Sequence, residues 1–251
     1  MQKLRKWEKY ALVNSIFNNV LKSISIICLV CTVLMGEAYA QHSKRDLLDI
    51  ENAVLIKHKP EGQNILKAND NRRDFERFPI IEYKIDTTKL GYIQTGETIP
   101  DIIWEMPLRI VNHPEGKGTT SLKELSDKQF LILDFWAKWC KPCLASMNNW
   151  EKMRNEIESD IRVVGVHLDY DYKAEIEARD MGWKSIQIVG KEAHILKRYL
   201  NQYAVMGPSV WLKGRRLFGI SKSGPSSYDF VQAIIRGETN AIPDYALWKP
   251  F

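Results

Sequence analysis

Cysteine and histidine are scarce in this chain: its 251 residues hold four of the first and five of the second. The histidines, His42, His58, His113, His167 and His194, stand singly, and past residue 40 the only cysteines are Cys140 and Cys143. A Cys-x-x-Cys pair could supply half of a zinc site, but the other half is missing. Leu144 follows Cys143 where c-type haem attachment needs a histidine. Long apolar runs are absent too: the stretch Ile24–Met35 covers twelve residues, against about 20 for a spanning helix. A strong charge of one sign is also missing. The formal charge is +5, but Lys3, Arg5, Lys6, Lys9 and Lys22 against Glu8 and Glu37 lie in the first forty residues. Taking those five from 36 basic residues and those two from 31 acidic ones leaves a net of +2. No basic field for nucleic acid remains, and residues 41–96 hold no internal repeats or low-complexity tracts.

What is present begins with a basic, then apolar, N-terminus. Ala38-Tyr39-Ala40 ahead of Gln41 has the small-x-small form of a cleavage site, so residues 1–40 read as an export signal, with an uncleaved anchor as the alternative. Lipoprotein processing is disfavoured, because Val30 before Cys31 is larger than the small residue it requires. Export places the mature chain in the periplasm or on the outer face of the cytoplasmic membrane. Removal of the signal takes Cys28 and Cys31 with it.

The remaining pair lies at a strand-to-helix handover. Leu131-Ile132-Leu133 reads as a buried strand, and from Leu144 the apolar residues Met147, Trp150, Met153 and Ile157 recur at helical spacing as far as about Ser159. Unpaired N–H groups and the positive end of the helix dipole stabilise a thiolate at such a place, so Cys140 reads as a nucleophile. Two thiols this close make a poor structural staple, because the loop they close is tiny. A redox pair is the better reading. Lys141 puts a cation beside the nucleophile, and Pro142 preorganises the first helical turn.

Trp136-Ala137-Lys138-Trp139-Cys140-Lys141-Pro142-Cys143 resembles the Trp-Ala-x-Trp-Cys-x-Pro-Cys motif of the thioredoxin superfamily, and within it the TlpA/ResA-like exported thiol-disulfide oxidoreductases. The resemblance covers roughly 98–237. It implies an α/β thioredoxin-like fold, a central mixed sheet flanked by helices, with 41–97 as an N-terminal extension and 238–251 as a C-terminal tail. It also implies that Cys140 attacks a substrate disulfide, that Cys143 resolves the mixed disulfide, and that no cofactor is needed beyond the Cys140–Cys143 disulfide. Asp134 matches the buried aspartate that thioredoxins use to carry the proton of the resolving cysteine. Trp139, Lys141, Pro142, Gly207 and Pro208 match the surface that meets substrate, and Pro142 leans the reading toward reductase. Pro208 is the candidate for the cis-proline that pairs with substrate backbone, although Gly207 precedes it directly and Ser209 occupies that place by strict count. The implied partners are disulfide-bearing exported proteins or apocytochrome c, with a membrane carrier as electron donor.

The rest of the chain alternates in the βαβ manner. Strands are expected at Ile161–Leu168 and Ile186–Val189, helices at Tyr172–Met181, Ala193–Leu200 and Tyr228–Arg236, and a hairpin at Val210–Lys213 and Arg216–Ile220. Ser121 with Glu124 predicts a capped short helix. Gly96 to Asp101 resembles the Gly-x-x-x-Pro-Asp lead-in of TlpA-like and peroxiredoxin-like domains. Ile102–Ile110 reads as an edge strand broken by Pro107. Ile80–Ile85 reads as a strand that pairs or packs on the main domain, and Lys57–Gly62 and Asn69–Asp74 read as loops. The aromatic tail is expected to pack back on its own domain, and His167 reads as a core residue. Two other functions stay open: a peroxiredoxin-like peroxide reductase, which would want a Thr or Ser shortly before a lone cysteine, and a non-enzymatic thioredoxin-fold binding protein.

Overall fold

The computed structural model describes residues 48–61, 63–201, 207–221, 227–240 and 242. Residues 1–40, read above as an export signal, and all of the tail except Glu238–Asn240 and Ile242 lie outside them. No helix among the described residues is long and apolar enough to cross a membrane.

The seven residues Phe130–Trp136 alternate sides yet are buried on both, which makes β5 a central strand. β6 (Ile161–His167) lies parallel to it on one side, and β8 (Ser209–Lys213) antiparallel on the other. With β3 (Leu108–Val111), β4 (Thr119–Thr120), β7 (Gln187–Ile188) and β9 (Arg216–Ser221), the order is β4-β3-β7-β6-β5-β8-β9. Helices α4 (Lys141–Ile157), α5 (Asp171–Asp180) and α6 (Lys191–Leu200) fill the connections between the parallel strands and the next, and α7 (Tyr228–Ile235) closes the chain. This is a thioredoxin-like fold.

Side-chain parity along β5 divides the core. Leu131, Leu133 and Phe135 join Val164, Val166 and the α6 residues Ile195 and Leu196. Phe130 and Ile132 pack on the other face with Trp150 of α4 and Val231 and Ile234 of α7. Ile242 completes that second cluster, where its side chain lies against Gly219.

Before β3 come β1 (Val54–His58), α1 (Gln63–Asn69) and β2 (Ile81–Ile85). β1 and β2 form a separate antiparallel ribbon. Lys57 and His58, expected in a loop, pair with Glu82 and Ile81 in that ladder, and Glu82 also binds Lys59; cross-strand charge pairing overrides their weak strand propensity. The ribbon is tied down by a polar knot that no local pattern shows. Tyr83 Oη donates to Asp171 Oδ2 at 2.7 Å, Arg109 Nη2 donates to the same oxygen, and the Gly190 N–H donates to Oδ1 at 2.9 Å. Ala53, Leu90 and Ile93 enter the core beside β5 and α6.

The expected edge strand at Ile102–Ile110 is corrected. Asp101–Trp104 is a helical turn, α2, which buries Ile103 and Trp104 after Pro100; only Leu108–Val111 is strand, and β4 covers its outer side. The capped helix is α3 (Leu122–Leu125), with Ser121 Oγ accepting from the Glu124 N–H at 3.2 Å.

Gly165 shows how tight the junction of β5, β6 and β7 is. A Cβ there would collide with the Gln187 side chain and stand 2.9 Å from Trp136 Nε1. Gln187 Oε1 accepts from that indole at 2.8 Å. Gly165→Ala is therefore expected to cost about 1–3 kcal/mol, as overpacking does, and to alter Trp136 fluorescence; an unchanged denaturation midpoint would show that the Gln187 side chain swings away freely.

Candidate active site

Helix α4 starts at Lys141 because Cys140 leaves helical geometry (φ −90°, ψ 88°) and Pro142, inside the first turn, needs no intrahelical N–H partner. The turn before it is closed by the Cys140 N–H donating to Ala137 O at 3.0 Å. Cys140 thus sits at the N-cap, where the helix dipole favours a thiolate. Cys140 and Cys143 form a disulfide with Cα atoms 5.3 Å apart. The two cysteines differ in exposure: Cys140 is 8% exposed and Cys143 is fully buried with Trp136, Met147 and Trp183. An external disulfide therefore meets Cys140 first.

Around the pair, Trp139 is 64% exposed and Lys141 and Pro142 are also at the surface. Trp136, its sequence neighbour in the motif, is instead a core residue, edge-on to Trp183 at 4.9 Å between ring centroids. Lys138 forms an ion pair with Glu177 of α5.

Beneath the helix, Asp134 is fully buried. Its carboxylate accepts from Ser146 Oγ (to Oδ2) and from Ser209 Oγ (to Oδ1), each at 2.7 Å. Burial pushes its pKa up to about 7, and the two hydroxyls act in the opposite direction. A carboxyl titrating near neutrality can both accept and return a proton. Ser146 is three residues after Cys143 and faces inward like it, so the carboxyl is linked to the helical turn that carries the buried cysteine.

Gly207 and Pro208 are buried at the start of β8, where Pro208 O accepts from the Phe135 N–H at 3.4 Å. Their peptide bond is trans, since no cis bond occurs among the described residues, and this corrects the cis-proline expectation at Pro208. The chain is already extended there, with Ser209 opposite Asp134 in the ladder. Residues 202–206 before it lie outside the described residues.

His167 ends β6 against Trp136, centroids 4.5 Å apart, fully buried and with neither ring nitrogen partnered. Burial pushes its pKa down to about 3. Because the unfolded group titrates near 6.5, the stability it confers is complete above that pH and is lost as the pH falls toward 3. His167→Leu is expected to spare roughly 3 kcal/mol of the loss between pH 7 and pH 4, read from urea midpoints at both; equal losses in the two proteins would refute this.

Sequence reasoning had placed the cysteines and Asp134 but not Ser146, Gly165 or Gln187 as parts of the site, nor Ser209 as a partner of Asp134. One signal was available: Ser146 is a polar residue interrupting the apolar stripe beside Met147 and Trp150.

Among known families, the Thioredoxin model matches residues 118–186. The thioredoxin-like protein YneN of Bacillus subtilis is 33% identical over 97 residues, 39% of this chain and 52% of that protein. The thiol-disulfide oxidoreductase ResA of Bacillus anthracis is 31% identical over 127 residues, 51% of this chain and 61% of that one. The chain thus spans between half and two thirds of the length of these relatives. Among solved structures, a putative protein disulfide isomerase from Bacteroides thetaiotaomicron is similar at 20% identity and TM-score 0.44, over 59% of this chain and 91% of that one. Peroxiredoxin Q of Xanthomonas campestris is similar at 14% identity and TM-score 0.46, over 57% and 97%. With the motif at the N-terminus of α4 and the mixed sheet, residues 118–186 are similar to thioredoxins, and the chain is similar to ResA and YneN over part of their length.

Proposed function

We propose that this protein is an extracytoplasmic thiol-disulfide oxidoreductase that reduces disulfides of exported proteins through Cys140 and Cys143. The observation that carries the reading is the unequal exposure of two bonded cysteines at a helix N-terminus, Cys140 at 8% and Cys143 at 0%, with Ser146 three residues after Cys143 bonded to the buried Asp134 carboxylate. In the reduced protein, the Cys140 thiolate attacks a substrate disulfide. One sulfur of that disulfide bonds to Cys140, and the other leaves as a thiolate that takes a proton from solvent. Asp134 then accepts the proton of Cys143, whose thiolate attacks the Cys140 sulfur. The substrate is released with both sulfurs reduced, the protein keeps the Cys140–Cys143 disulfide, and two electrons have passed to the substrate. A membrane-held dithiol carrier would restore the reduced pair. Trp139, Lys141 and Pro142 offer the exposed face for the substrate chain, with Gly207 and Pro208 just ahead of the strand that borders Asp134. Exported proteins with reducible disulfides, apocytochrome c among them, are the substrate class.

The test is the reduction potential of the pair in purified 41–251, by thiol trapping and mass spectrometry after equilibration in graded redox buffers. A value near −270 mV, roughly that of thioredoxin, is expected; one near the roughly −120 mV of a strong oxidant would make the protein a disulfide donor.

A further inference from the structure

Among the described residues, no cation pairs with the buried carboxyl of Asp134. α4 brings Cys143, Ser146 and Met147 toward this region, β8 brings Ser209, and β6 brings Gly165, which stands opposite Asp134 in register and has no side chain. His167, two residues further along β6 on the same side of the sheet, is neutral when buried. No charged side chain among the described residues contributes to the proton affinity of Asp134; besides burial, only the two serine hydroxyls act on it. Both serines are almost wholly inaccessible, Ser146 at 1% and Ser209 at 0%. Each binds a different carboxylate oxygen, and Ser209 Oγ in turn accepts from Trp150 Nε1 at 3.3 Å, so its own proton is directed to Asp134.

We propose that Ser146 and Ser209 are positioning residues of the reaction: a pair of hydroxyls from α4 and β8 that holds Asp134 as a carboxylate able to receive the proton of Cys143. The inference rests on the relay role given to Asp134 above. An ionised acceptor gains more from a hydrogen bond than a neutral one. Removing either hydroxyl therefore favours the protonated acid and leaves less carboxylate at neutral pH. Ser146 has a second function in this arrangement, since it ties the acceptor to the helical turn of the resolving cysteine.

The experiment follows the two thiol releases when the reduced full chain, carrying Cys28→Ser and Cys31→Ser so that only Cys140 and Cys143 can react, meets an aromatic disulfide, 5,5′-dithiobis(2-nitrobenzoate). The first release reports attack by Cys140, and the second reports attack by Cys143 on the mixed disulfide. Ser146→Ala and Ser209→Ala are each expected to move the pH midpoint of the second release upward by about one unit. At pH 7 that slows it about fivefold, the deficit disappears in alkali, and the first release is unaffected. Ser209→Thr, which keeps the hydroxyl on a strand, is expected to restore the wild-type midpoint. An unchanged midpoint in both alanine variants, or slowing by the same factor at every pH, overturns the proposal while Asp134→Asn still changes the profile. If Asp134→Asn itself keeps the wild-type profile, the relay reading fails and this inference goes with it.

Discussion

Asp134→Asn is expected to make the protein more stable and slower at once. The unfolded carboxyl titrates near 3.8 and the folded one near 7, because burial raises it. Folding therefore takes up a proton between those values, and stability declines as the pH rises from about 4 to about 7. Above pH 7 the full difference, about 4 kcal/mol at 1.36 kcal/mol per unit, weighs against the folded state. An asparagine retains a carbonyl oxygen for one serine and an amide for the other, and carries no charge to desolvate. Urea unfolding of the oxidised proteins should show Asp134→Asn gaining a few kcal/mol at pH 8 and little at pH 4. An equal change at both would mean that the carboxyl is not the titrating group. On the relay proposed above, the same substitution removes the proton acceptor for Cys143, so second-step exchange at pH 7 should fall by one to two orders of magnitude. Such opposed effects on stability and rate are the signature of a charge kept in the core for chemistry.

Cys143→Ser is expected to stop the protein halfway. Cys140 remains 8% exposed at the helix N-terminus and still attacks a substrate disulfide, but nothing is left to break the bond it forms. The product is a stable mixed disulfide, seen by intact mass spectrometry as one added substrate chain, and turnover should fall on the order of a thousandfold. Cys140→Ser should form no such adduct, because Cys143 is fully buried and no external sulfur reaches it. Adducts of equal yield in the two variants would mean that the buried and exposed roles are wrong, and continued turnover by Cys143→Ser would mean that a second cysteine is not needed.

The local sequence was enough for the parts of this protein that depend on neighbours in the chain. Apolar run, Trp-Cys-x-Pro-Cys and helical stripe placed Cys140 and Cys143 where β5 hands over to α4, since hydrophobic periodicity and proline geometry act over a few residues. The strand and helix sequence from Ile161 to Arg236 was legible for the same reason. Ile102–Trp104 misled because apolar residues around a proline fit a broken strand and a helical turn equally well. Only the burial of Ile103 and Trp104 against the core selects the turn. Lys57 and His58 became strand only because Glu82 and Ile81 lie opposite them.

The chemistry of the site was decided by the tertiary structure. Asp134 could be named from its place before the cysteines, but its proton affinity depends on total exclusion of water and on hydroxyls that are 12 and 75 residues away in the chain. Gly165 has no local turn to explain it; it is required because Gln187 and Trp136 meet over its Cα. By itself the sequence determined which residues could react and on which elements they stand. Which thiol is reachable, how readily the carboxyl holds a proton and what each buried polar atom pairs with arise from packing, because desolvation and hydrogen-bond partners are set by atoms distant in the chain.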